Sequence, residues 1–154
     1  STLLAEVLRQ VPEEGVVLVP QEIGCDQARD LLASVKVLEP ASRGRLLSIV
    51  ARLDSPPTRI LEGDDLSPGE VRKLLLAQGL IGRPHLIVMD EPTNHLDIRS
   101  VEALQDVLAD CPCALVLVSH DERFLDALTA TRWMFDVDCA EGGGLGDTHV
   151  RVKL

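Results

Sequence analysis

Three short runs of apolar, mostly β-branched residues constrain this 154-residue chain more than any other feature of it. They are Val16-Val17-Leu18-Val19, Leu86-Ile87-Val88-Met89 and Ala114-Leu115-Val116-Leu117-Val118, and stretches with helical periodicity separate them. A strand that is apolar at every position, not at alternate ones, needs cover on both faces. Such strands alternating with helices read as an α/β fold built on a mostly parallel sheet. Open sheets of this kind bind ligands at the carboxyl ends of their strands. Gln21, the pair Asp90-Glu91 and His120 fall within two residues of the ends of the three runs, so they are the first candidates for chemistry.

Helical patterns cover residues 1–10, 25–37, 42–53, 68–80 and 98–109. Asp121 caps a further helix that carries Phe124, Leu125 and Leu128. Pro40 separates the second and third patterns and Ser55-Pro56-Pro57 closes them, so residues 27–61 read as a helical insertion. Residues 133–137 and 148–154 alternate like a half-exposed hairpin, joined by the glycine-rich loop 142–146. There is no internal repeat and no obvious linker, so one compact unit is expected.

Composition narrows the function classes. Fifteen basic against 25 acidic residues give a net charge of −10, which argues against gripping a nucleic-acid backbone or an anionic membrane unaided. Aromatics amount to 2%, too few for base-stacking platforms. No apolar run approaches the ~20 residues that span a bilayer, so direct membrane insertion is not expected and a cytoplasmic location is. The four cysteines include no CxxC pair and read as small buried thiols in a reducing compartment.

Two adjacent carboxylates at a strand end can divide labour. One holds Mg²⁺, usually through water, while the other orients an attacking water. A solvated acidic turn explains Asp90-Glu91 equally well from these residues alone. Ser67-Pro68-Gly69-Glu70 is a helix start, with Ser67 at the N-cap and Glu70 completing a capping box. That suffices for stability, yet exposed amides there and the positive helix end also suit an anion. His120 and Gln21 have equally ordinary structural readings when taken singly.

The string from Leu86 to Asp97 reads LIVMDEPTNHLD. It resembles the Walker B motif and D-loop of the ATP-binding-cassette (ABC) superfamily, and its TNHLD wording is most similar to the ABC-F branch. Leu66-Ser67-Pro68-Gly69-Glu70 resembles the signature motif, with Pro68 and Glu70 where Gly and Gln are commoner. His120 matches the switch histidine and Gln21 the Q-loop. The resemblance implies a P-loop NTPase-like cassette with a helical subdomain, which binds ATP and Mg²⁺ and hydrolyses ATP. It makes Glu91 the general base and puts His120 on the γ-phosphate. It gives Asp90 and Gln21 to Mg²⁺, and Ser67, Gly69 and Asp97 to a nucleotide site shared with a second cassette, intramolecular or in a dimer.

No G-x-x-x-x-G-K-[ST] string occurs. The opening Ser1-Thr2-Leu3-Leu4 resembles the residues just after a P-loop lysine, which would make Ser1 a Mg²⁺ ligand. On this reading the chain is a partial cassette that lacks the N-terminal strands and the Walker A loop. Residues 25–61 would be the helical subdomain, and 62–154 would carry the signature, Walker B, D-loop, switch histidine and hairpin. The intact protein would be an ATPase, whereas this chain alone would be inactive. The missing P-loop strand would leave core edges unpaired, favouring self-association unless a rearranged strand fills the gap. A soluble ABC-F factor acting on ribosomes is the leading expectation. The alternatives are the cassette subunit of a membrane transporter and a non-catalytic dimerisation module.

Overall fold

The computed structural model describes residues 4, 8–12, 14–62, 66–135 and 148–153. Ser1 and the glycine-rich loop lie outside the described residues, as do six of the ten residues of the helix expected over 1–10. Five strands form one sheet: β1 (Val16–Val19), β2 (Leu86–Asp90), β3 (Ala114–Val118), β4 (Thr131–Phe135) and β5 (Thr148–Lys153), in the order β1-β2-β3-β5-β4. The three apolar runs pair in parallel, β1 with β2 and β2 with β3. β5 runs antiparallel to both β3 and β4. Six helices complete the described fold: α1 (Cys25–Lys36), α2 (Pro40–Arg52), α3 (Pro57–Glu62), α4 (Pro68–Ile81), α5 (Ile98–Ala109) and α6 (Glu122–Leu128).

Strand alternation divides the core in two. Val19, Ile87, Met89, Leu115 and Leu117 share an apolar cluster with residues of all six helices, among them Leu46, Leu74, Leu108 and Phe124. Leu86, Val88, Val116 and Val118 point to the opposite face and pack with Leu4. The two-sided burial expected for these runs holds for β2 and β3. It fails for β1, where Leu18 is 41% exposed, because among the described residues β1 is an edge strand with one neighbour.

Three further expectations change. Pro40 marks the division as expected but lies inside the second helix, at the first position of α2, where its missing N–H has no intrahelical partner to lose. Pro57 likewise opens α3, a helix absent from the sequence pattern, where these prolines were expected only to close α2. The hairpin forms as expected, but β5 also pairs along β3, with Val116 opposite Val152 and Val118 opposite Val150. The chain's own strand thus satisfies the β3 edge.

Candidate functional site

β2 and β3 are in register to their ends, with Asp90 beside Val118, so Asp90, Glu91, Ser119 and His120 leave the sheet together. The Glu91 N–H donates to the Val118 carbonyl at 2.7 Å, extending the ladder by one residue. The chain then turns sharply, and Glu91 takes φ +47°, in the left-handed region. That conformation costs a non-glycine residue about 1–2 kcal/mol. Glu91 is only 9% exposed, and its Oε1 lies 3.5 Å from Nε2 of the exposed His120. Burial raises the Glu91 pKa above the ordinary carboxylate value, and His120 is the largest influence in the other direction. A carboxylate shifted upward in this way is suited to accept a proton.

A second group of candidates meets beside this one. Gln21 comes after Pro20 at the end of β1 and lines a cleft of about 390 Å³ with Gly69, Arg72, Asn94 and His95. The residues after β1, the start of α4 and the turn after β2 therefore converge. The start of α4 is capped as expected: the Ser67 Oγ accepts from the Glu70 N–H at 3.3 Å, and Glu70 Oε2 accepts from the Ser67 N–H at 2.8 Å. Glu70 also pairs with Arg59 of α3 at 3.3 Å.

The expected open anion site at this helix start is modified by the chain's own groups. The Ser67 amide is bonded to Glu70, Pro68 has no N–H, and Gly69 is buried. A Cβ on Gly69 would meet Leu96 Cδ2 at 3.2 Å, so the missing side chain makes room for the turn after β2. Asp97 caps α5, accepting from the Ser100 N–H at 2.8 Å, and this bond is the first cause of its lowered pKa. His85 and His95 are both exposed, and the side chain of His149 lies outside the described residues.

Sequence reasoning missed two cations. Arg72 and Lys73 are 7% and 8% exposed on α4. Lys73 Nζ donates to Ser100 Oγ at 2.8 Å and to the Asp54 carbonyl at 3.1 Å. Arg72 reaches three backbone carbonyls of the turn after β2. Burial lowers the Arg72 pKa, and the charges of Asp90 and Glu91 oppose that. The available signal was a pair of adjacent cations inside a helical run with apolar residues on nearly every side, Val71 before them and Leu74, Leu75 and Leu76 after them.

Asp90 supplies a hard oxygen donor of the kind Mg²⁺ prefers. Among the described residues no three His, Cys, Asp or Glu side chains converge on a metal position. Asp90 would leave such an ion to complete its shell with water and phosphate oxygens, as Mg²⁺ commonly does.

Three parallel strands with two carboxylates and a histidine at adjacent strand ends, and a capped helix start beside them, make an α/β fold of the P-loop NTPase type. The family described as ABC transporter matches residues 2–94, and the chain belongs to it. It is 47% identical over 64 residues to the ATP-binding protein Uup of Caulobacter vibrioides, covering 42% of this chain and 10% of that one. Identity is 43% over 74 residues to the energy-dependent translational throttle protein EttA of Mycobacterium tuberculosis, 48% of this chain and 13% of that one. It is 38% over 84 residues to the ATP-binding cassette sub-family F member 3 of Pongo abelii, 54% of this chain and 11% of that one. The chain is thus an ABC-family member similar to ATP-binding proteins that include a sub-family F member, and the matches span only about a tenth of each relative. A solved ATP-binding subunit of an ABC transporter shares the fold, with a TM-score of 0.58 at 16% identity over 85% of this chain and 58% of that one. Among the described residues no helix is long and apolar enough to cross a membrane.

Proposed function

We propose that this chain forms the carboxyl-terminal part of a cassette that hydrolyses ATP with Mg²⁺, in a cytoplasmic ABC-F-type protein that pairs it with a second cassette and acts on the ribosome. One observation carries the reading: Glu91 is buried, has a raised pKa and stands 3.5 Å from His120 at the end of β2. Glu91 accepts the proton of the attacking water, and His120 contacts the γ-phosphate. Asp90, Gln21 and Ser1 hold Mg²⁺, which when bound neutralises charge on the phosphates. Ser67, Gly69 and Asp97 serve the nucleotide of the opposing cassette, and residues 25–61 form the helical subdomain. The ribosomal part of the reading is supported by the relative whose name describes a translational throttle.

Glu91→Gln in the intact protein tests the chemistry, because it removes the base but keeps shape and hydrogen bonding. ATP binding should persist while phosphate release slows by ~10²–10⁴-fold. The 154-residue chain alone is the control and should release no phosphate, since its sequence contains no P-loop lysine or phosphate cradle. Turnover within a few-fold of wild type in the variant overturns the role of Glu91.

A further inference from the structure

We infer that Arg72 is a positioning residue, which clamps the Glu91 turn and the segment after it to α4. The inference rests on the reading of Glu91 as the base. Arg72 Nη2 donates to the Glu91 carbonyl at 2.7 Å and the Asp90 carbonyl at 3.1 Å. Its Nη1 donates to the Asn94 carbonyl at 3.2 Å. The guanidinium thereby holds both ends of a turn that does not hold itself well. Glu91 and His95 both sit in the left-handed region, at φ +47° and +63°. Such conformations persist only where the surroundings over-determine them. Within the turn, the Asn94 N–H returns to the Glu91 carbonyl at 3.2 Å and the Leu96 N–H to Thr93 at 3.2 Å. From outside the turn, β3 holds the Glu91 N–H through the Val118 carbonyl, and Arg72 of α4 holds the carbonyls at both ends.

A planar fork suits this task because it serves three carbonyls in fixed directions, which the single ammonium of lysine cannot do. Two neighbours extend the clamp. Gly69 lets the start of α4 pack against Leu96, and Lys73 binds Ser100 at the start of α5. The helix start, the base and the turn after it therefore behave as one body. A displacement of α4 pulls on the backbone of Glu91 through Arg72.

The test uses the intact ATPase carrying Arg72→Met, which keeps length and apolar packing but removes all three bonds. The expected result is kcat lowered by ~10- to 100-fold, the scale of a misplaced reacting group, with KM for ATP within about threefold of wild type. Amide exchange should accelerate at residues 91–96 and stay at wild-type rates in α2 and β3. Arg72→Lys, the milder change should Arg72→Met fail to fold, should recover only part of kcat. In a Glu91→Gln background, Arg72→Met should slow the residual rate no further. Wild-type kcat in either Arg72 variant overturns the inference, as does exchange that rises uniformly across the cassette. If Glu91→Gln retains turnover, the base assignment fails instead, and the exchange pattern still decides whether the clamp exists.

Discussion

At the start of α4 every local preference is met: Ser67 caps, Pro68 occupies the first turn and Glu70 closes the capping box. At the end of β2, a few residues away in space, local preferences are overridden. Glu91 is a charged residue that is buried, in a left-handed conformation, and held by a guanidinium from another element. The first arrangement would form wherever its sequence begins a helix. The second exists only because α4 and β3 are packed beside it. The strained turn carries the carboxylate that the proposed chemistry uses, whereas the cap is accounted for by helix stability alone.

Three outcomes sharpen that contrast. The largest is expected for Glu91→Gly. Glycine takes φ +47° freely, so the cassette should melt no lower than wild type, and relief of strain is worth about 1 kcal/mol. Phosphate release should nevertheless fall as far as in Glu91→Gln. A clear drop in melting temperature would mean that the carboxylate supports the fold, and the contrast would collapse.

Ser67→Ala should do the reverse. Loss of the cap costs about 1 kcal/mol of stability, read from denaturant unfolding, and leaves the exchange rates at residues 91–96 unaltered. Faster exchange there would show that the cap and the turn are one structure.

The smallest effect concerns Asp97, which caps the helix after the turn. Its folded pKa lies below the ordinary 3.8 because the carboxylate accepts bonds from Ser100. A depressed acid stabilises the fold above its unfolded pKa, and this contribution fades as pH falls through the folded value. The stability gap between wild type and Asp97→Asn should therefore be constant at neutral pH and shrink below about pH 4. A gap that persists at the acid end would mean that the charge of Asp97 is irrelevant to its cap.

Much of this arrangement was legible in the chain. The apolar runs marked β1, β2 and β3, and the α5 and β3 boundaries match the sequence reading at both ends. The strings at Leu66–Glu70, Leu86–Asp97 and Val116–His120 carried the resemblance to the ABC cassette. The partners of Arg72 and Lys73 were not legible. They lie 18 to 27 positions away in sequence, and which carbonyl a buried cation meets depends on how helices dock. Nor could the glycine of the signature string be read as room for Leu96.

What the sequence by itself determined is local: which segments are strands and helices, where a helix is capped, and which acids stand at the end of which strand. Periodicity and capping act over about a turn of chain, so near neighbours suffice to decide them. The tertiary structure alone decided that β1 is an edge, that β5 lies along β3, and that Glu91 is buried in a left-handed turn under Arg72. Each of these is settled by competition among distant groups for backbone hydrogen bonds and for shelter from water, and no stretch of a few residues contains that competition.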